Sequence, residues 1–236
     1  MLGLLVIVII SWMLLHFFEK KNIEVLGIIP TKKRIAQFLI GLVFITLVNL
    51  LNIYLETILL NVEWKLQAEI NYQHILNSFL YHIRSALTED LIFRGAILYI
   101  LIQKLGAKWG ILLSAIVFGI YHVFSYGILE GSLILITYVI LITGFTGYVW
   151  AYTFHKTKSI FMGLGFHLGV NFVSTLFFES QPYGELIFTE VSKIHLSEWS
   201  KLFFLLFKGL FPSILTLVFV KQWLRFYVTE PINKVV

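Results

Sequence analysis

The run Thr88-Glu89-Asp90-Leu91-Ile92-Phe93-Arg94-Gly95 sets two carboxylates and a guanidinium inside an otherwise apolar stretch. An ionised side chain in hydrocarbon costs on the order of 3 kcal/mol or more, so charges placed there need partners and a reason. Two later apolar segments offer partners: Phe118-Gly119-Ile120-Tyr121-His122 and His167-Leu168-Gly169-Val170-Asn171. Read together, the three segments predict one polar site enclosed by membrane-spanning helices.

The composition agrees. The chain of 236 residues is 58% hydrophobic and 13% charged, with mean hydropathy +0.87, whereas soluble chains carry roughly 25% charged residues. Apolar runs near twenty residues recur, and no alternating ten-residue pattern marks a barrel. The fold class expected is an all-α polytopic bundle of about seven transmembrane helices. Residues 1–236 should form a single integral-membrane domain, since no Ser/Gly/Pro-rich linker interrupts them. The net charge of +5 invites a nucleic-acid partner. The basic residues, however, cluster in short loops between apolar runs, as the positive-inside rule requires; the expected partner is the lipid bilayer, with no nucleic acid. There is no cysteine, which excludes disulfides and thiolate metal sites.

The spans expected are residues 2–18, 35–60, 75–104, 109–125, 132–154, 159–178 and 202–220, the last kinked at Pro212. The first lacks a basic leader and a small-residue cleavage site, so it reads as a retained helix. Asn49 and Asn52 are expected to hydrogen-bond between helices. Gly144 and Gly147, and Gly165 with Gly169, should admit close neighbours. Loop charges put twelve Lys/Arg on one side, including Lys20, Lys104, Lys156, Arg225 and Lys234, against three on the other. The expected topology is N-terminus out and C-terminus in. His16, His155 and His195 fall at span ends or in loops and join no constellation.

Asp90 and Arg94 lie four apart on one helical face and can pair. Glu89 is rotated about 100° from Asp90 and is free to face another helix, where a desolvated carboxylate suits general-base work. His122 lies one turn beyond Phe118, which could wall a pocket, and His167 and Asn171 also project together. Each feature alone has a structural reading: an interhelical ion bridge, a hydrogen-bonding histidine, helix-packing glue. Their common depth in the outer half of the bilayer favours a shared site.

In order, the three motifs resemble those of the CPBP family, the CAAX-protease and bacteriocin-processing intramembrane endopeptidases, whose patterns are EExxxR, FxxxH and HxxxN or HxxxD. The likeness covers residues 88–171, within a family-like core at about 75–178. Asp90 stands where the family usually has Glu. The resemblance implies peptide-bond hydrolysis in which Glu89, with His122, activates water while His167 and Asn171 hold the oxyanion. Asp90, Arg94 and Phe118 would support the site. No cofactor is expected. The alternative makes Glu89, His122 and His167 ligands of zinc or another divalent metal. The implied substrate is a membrane-associated peptide or a lipidated protein, and the implied location a bacterial cell membrane. Two other functions stay open: a non-catalytic immunity or regulatory protein on the same scaffold, and a transporter or proton relay, against which stands the lack of an internal repeat. The eukaryotic branch of the family implies access from the cytosol, whereas the loop charges place the site nearer the outer face.

Overall fold

The computed structural model describes residues 2–228, with side chains to Trp223. Its elements in chain order are α1 (Leu2–Glu19), a 3-10 turn (Ile23–Leu26), α2 (Lys32–Leu60), β1 (Glu63–Leu66), α3 (Tyr72–Phe93), α4 (Ala96–Ser125), α5 (Leu133–Thr157), α6 (Phe161–Thr175), β2 (Phe188–Ser192) and α7 (Glu198–Val228). Lys234 lies outside the described residues, and so does the side chain of Arg225. The chain is an all-helical membrane bundle. Five stretches are long and apolar enough to cross a bilayer: α1, α2, α5, α7 to Trp223, and the 54 residues of Tyr72–Ser125 taken together. The seven expected spans become five such stretches because α3 and α4 merge in that count and α6 has only 15 residues.

Local chemistry sets the ends. Thr31, Asn71 and Ser132 cap α2, α3 and α5 by accepting from the backbone N–H groups of Arg34, His74 and Leu135. Asn61 and Lys158 close α2 and α5 in the left-handed conformation, at φ 46° and 54°. The predicted continuous helix over 75–104 is broken instead at Arg94–Gly95. A Cβ on Gly95 would run into the Leu91 carbonyl, so the chain leaves the helical path at the residue that lacks one. A second break falls within α4 at Gly106, φ 79°. Beyond it, Gly110 comes back against the backbone of Ile102.

Helices that bring the site together pack through small residues. A Cβ on Gly165 of α6 would meet the Phe38 carbonyl and the Leu42 nitrogen of α2, and one on Gly147 of α5 would meet the Phe118 ring of α4. Asn49 donates to the Val170 carbonyl (3.3 Å), and Asn52 to the Lys208 carbonyl (3.0 Å). The second bond has a clear cause. Pro212 has no N–H, which leaves the carbonyl four residues earlier without its helical donor. Asn52 supplies one from α2, and α7 is assigned helical on both sides of the proline.

The two strands were not visible in the sequence. β1 and β2 pair antiparallel, with Trp64 opposite Glu190 and Leu66 opposite Phe188. They tie residues 61–74 to residues 179–200 at one end of the bundle. At the other end, Ser159 donates to the Gly27 carbonyl (3.1 Å) and Lys104 pairs with Glu19 (3.2 Å). The loops assigned to opposite membrane sides by charge therefore lie at opposite ends of the molecule.

Candidate active site

The last turn of α3 carries Glu89, Asp90 and Arg94 into the bundle. Asp90 and Arg94 are almost wholly buried, at 1% and 2% exposure. Arg94 Nη1 donates to Asp90 Oδ1 at 3.3 Å, the expected pair. The same oxygen also faces His167 Nδ1 at 3.2 Å. Asp90 thus binds the α3 terminus to the middle of α6 and fixes the ring of His167. The other ring nitrogen, Nε2, faces Glu89 Oε2 at 3.7 Å, longer than a direct hydrogen bond. Among the described residues Glu89 Oε2 has no hydrogen-bond partner, and its Oε1 accepts from Ser85 at 3.4 Å.

Aromatic rings enclose this cluster. The Arg94 guanidinium carbon lies 3.7 Å from the Phe118 ring centre and 5.0 Å from that of Trp150. Nε and Nη2 of Arg94 make no hydrogen bond among the described residues, and the π faces replace part of that solvation. Trp150 also lies tilted over the His167 ring, centres 4.5 Å apart. Phe118 meets the His122 ring edge-on at 4.3 Å. His122 Nδ1 bonds to the Phe118 carbonyl one turn back (2.8 Å). That bond sets Nδ1 as the protonated nitrogen of the neutral ring and leaves Nε2 as the acceptor.

A cavity of about 400 Å³ adjoins these groups between α2, α4, α5, α6 and α7. His122, His167, Asn171, Phe118 and Trp150 all line it. The structure therefore brings Glu89, Asp90, Arg94 and His167 into direct contact, and His122 and Asn171 onto one wall with His167. His122 makes no ion pair with a carboxylate among the described residues, and Asn171 no hydrogen bond to another residue of the site. Nor, among the described residues, do three or more His, Asp or Glu side chains gather closely enough to hold a metal ion. Both histidines place Nδ1 on protein partners and leave Nε2 open toward the site.

Three side chains of this region were missed. Trp150 gave no signal, being one aromatic in an aromatic-rich span. Glu56 and Lys208 did: each is a charge within an apolar run. They form an ion pair across α2 and α7 (2.5 Å), with Lys208 on the cavity wall and its ammonium 4.3 Å from the Phe178 ring centre. Their separation of 152 positions hid the pairing.

Residues 71–173 match the family model of type II CAAX prenyl endopeptidase Rce1-like proteins. Over these residues the chain is similar to the CAAX protease family. The match supports, at family level, a CAAX-type intramembrane endopeptidase. The match contains every one of Glu89, Asp90, Arg94, Phe118, His122, His167 and Asn171, whereas the α2 and α7 walls of the cavity lie beyond it. No curated protein and no solved structure matches the chain significantly.

Proposed function

We propose that this CAAX-family protease hydrolyses a peptide bond of a membrane-associated peptide or lipidated protein, with Glu89 as general base. The observation that carries the reading is the contact of Glu89 Oε2 with His167 Nε2 at 3.7 Å while Asp90 holds the opposite nitrogen of the same ring. A carboxylate with a free oxygen, a pinned imidazole and an adjoining cavity are the parts a hydrolytic site needs.

Glu89 takes a proton from water, and His122 Nε2 accepts the water's second hydrogen as a hydrogen bond. The hydroxide attacks the carbonyl carbon. His167, oriented by Asp90 at Nδ1, donates Nε2–H to the oxyanion, and Asn171 donates from its amide. Protonated Glu89 then passes its proton to the leaving nitrogen as the C–N bond breaks, giving a carboxylic acid and an amine and restoring the carboxylate. No metal enters these steps.

For the substrate, the family description points to a prenylated C-terminus, and a bacterial setting to a bacteriocin or signalling-peptide precursor. For orientation we adopt N-terminus out and C-terminus in, supported by the segregation of basic and acidic loops to opposite ends. Purified protein in nanodiscs, incubated with such peptides and read by mass spectrometry of the products, tests the reading. His122→Ala should lose about 100-fold in kcat while staying folded, and a chelator should leave the wild-type rate unchanged. Full activity of His122→Ala, or a chelated enzyme revived only by zinc, contradicts it.

A further inference from the structure

At the end of the bundle opposite the strands, α4 and α5 border a second groove, of about 340 Å³. Lys108 of α4 and His155 and Lys156 of α5 line it, and no carboxylate does. His155, expected in a loop, sits in the last turn of α5. Its Nδ1 is buried without a hydrogen-bond partner among the described residues. Neither lysine has an ion pair among the described residues, although neighbouring Lys104 has Glu19. The lysines rest on aromatic rings instead, Lys108 Nζ at 5.3 Å from Trp109 and Lys156 Nζ at 5.6 Å from Tyr152.

Along its length the lining changes character. The cations occupy the helix ends, and Ile111, Leu112 and Tyr148 continue the groove inward. From Lys156 to Tyr148 is eight residues, about 12 Å of helix, which spans the distance from head groups into the acyl region. Cationic at the interface and apolar below it, the groove repeats the order of a phospholipid.

We propose that this groove binds an anionic glycerophospholipid, its phosphate held by Lys108, His155 and Lys156 and one acyl chain laid along Ile111, Leu112 and Tyr148. Basic pockets between helices at a membrane surface recognise such head groups. The positive-inside rule alone accounts for lysines at this end. It does not account for a groove whose cations lack carboxylate partners and whose floor is apolar.

Native mass spectrometry of the full chain, released from bilayers of mixed phosphatidylglycerol and phosphatidylcholine, tests this directly. Wild type should retain one phosphatidylglycerol with about thirtyfold preference over phosphatidylcholine, a size set by two unpaired cations. Lys108→Gln with Lys156→Gln should abolish the preference. Lys32→Gln with Lys33→Gln, removing equal charge at exposed positions outside the groove, should keep it. Retained preference in the first variant, or equal loss in the second, overturns the proposal. So does displacement of the lipid by millimolar inorganic phosphate, which would make the groove a site for soluble phosphate. None of these readouts depends on proteolysis.

Discussion

Asp90 does more than the sequence assigned to it. Its spacing from Arg94 announced an ion pair, and the pair is there. What the spacing could not announce was that the same oxygen also holds His167, 77 positions away. The shorter aspartate, in place of the family's usual glutamate, still reaches both partners. Asp90→Asn keeps the shape but loses the charge that holds Arg94 and faces His167, so two effects should follow. Arg94 is left buried and unpaired, a loss of about 3 kcal/mol visible as a lower thermal midpoint. His167 loses its anchor, and in the proposed mechanism a displaced ring costs about 100-fold in kcat. Arg94→Met should lower the midpoint by a similar amount. If Asp90→Asn retained both midpoint and kcat, Asp90 would not be positioning His167.

At the scale of elements, the long apolar helices were readable because hydrophobic runs of this length have few alternatives. Their interruptions were harder. No break was expected at Gly95, because the apolar pattern continues past it, and only the encounter with the Leu91 carbonyl shows why the helix stops. The β1–β2 pair was hidden because Glu63-Trp64-Lys65-Leu66 is too short to display a period, and its partner lies more than a hundred residues later. Asn52 was legible as an interhelical donor, but its acceptor was not. The carbonyl freed by Pro212 gives a sharp expectation. Asn52→Ala should cost about 1.5 kcal/mol by stranding that carbonyl, and adding Pro212→Ala, which restores an N–H, should recover most of the loss. Equal losses in the single and double variants, measured by denaturation, would break this link. Gly165→Ala should cost about 2 kcal/mol, because α2 occupies the space a methyl group needs.

For the whole molecule, the cavity matters most. The wall that bears His122, His167 and Asn171 comes from the segment shared with the CAAX protease family. The facing wall, with Asn52 and Lys208, comes from α2 and α7. The proposed chemistry and part of the enclosure therefore come from different parts of the chain, and the sequence motifs reported only the first. Glu56 and Lys208 join the two helices of the second wall. Glu56→Gln should destabilise the bundle by about 3 kcal/mol by leaving Lys208 unpaired, and Glu56→Gln with Lys208→Met should be closer to wild type. The reverse order in thermal midpoint would show that the pair does not couple α2 to α7.

Glu89 is the group on which this account turns, and the comparison of wild type with Glu89→Gln in a purified-protein cleavage assay tests it most directly. The amide keeps the size of the side chain but cannot take a proton from water, so the rate should fall by about 1,000-fold with the thermal midpoint held near wild type. Cleavage by the glutamine variant at the wild-type rate would contradict it.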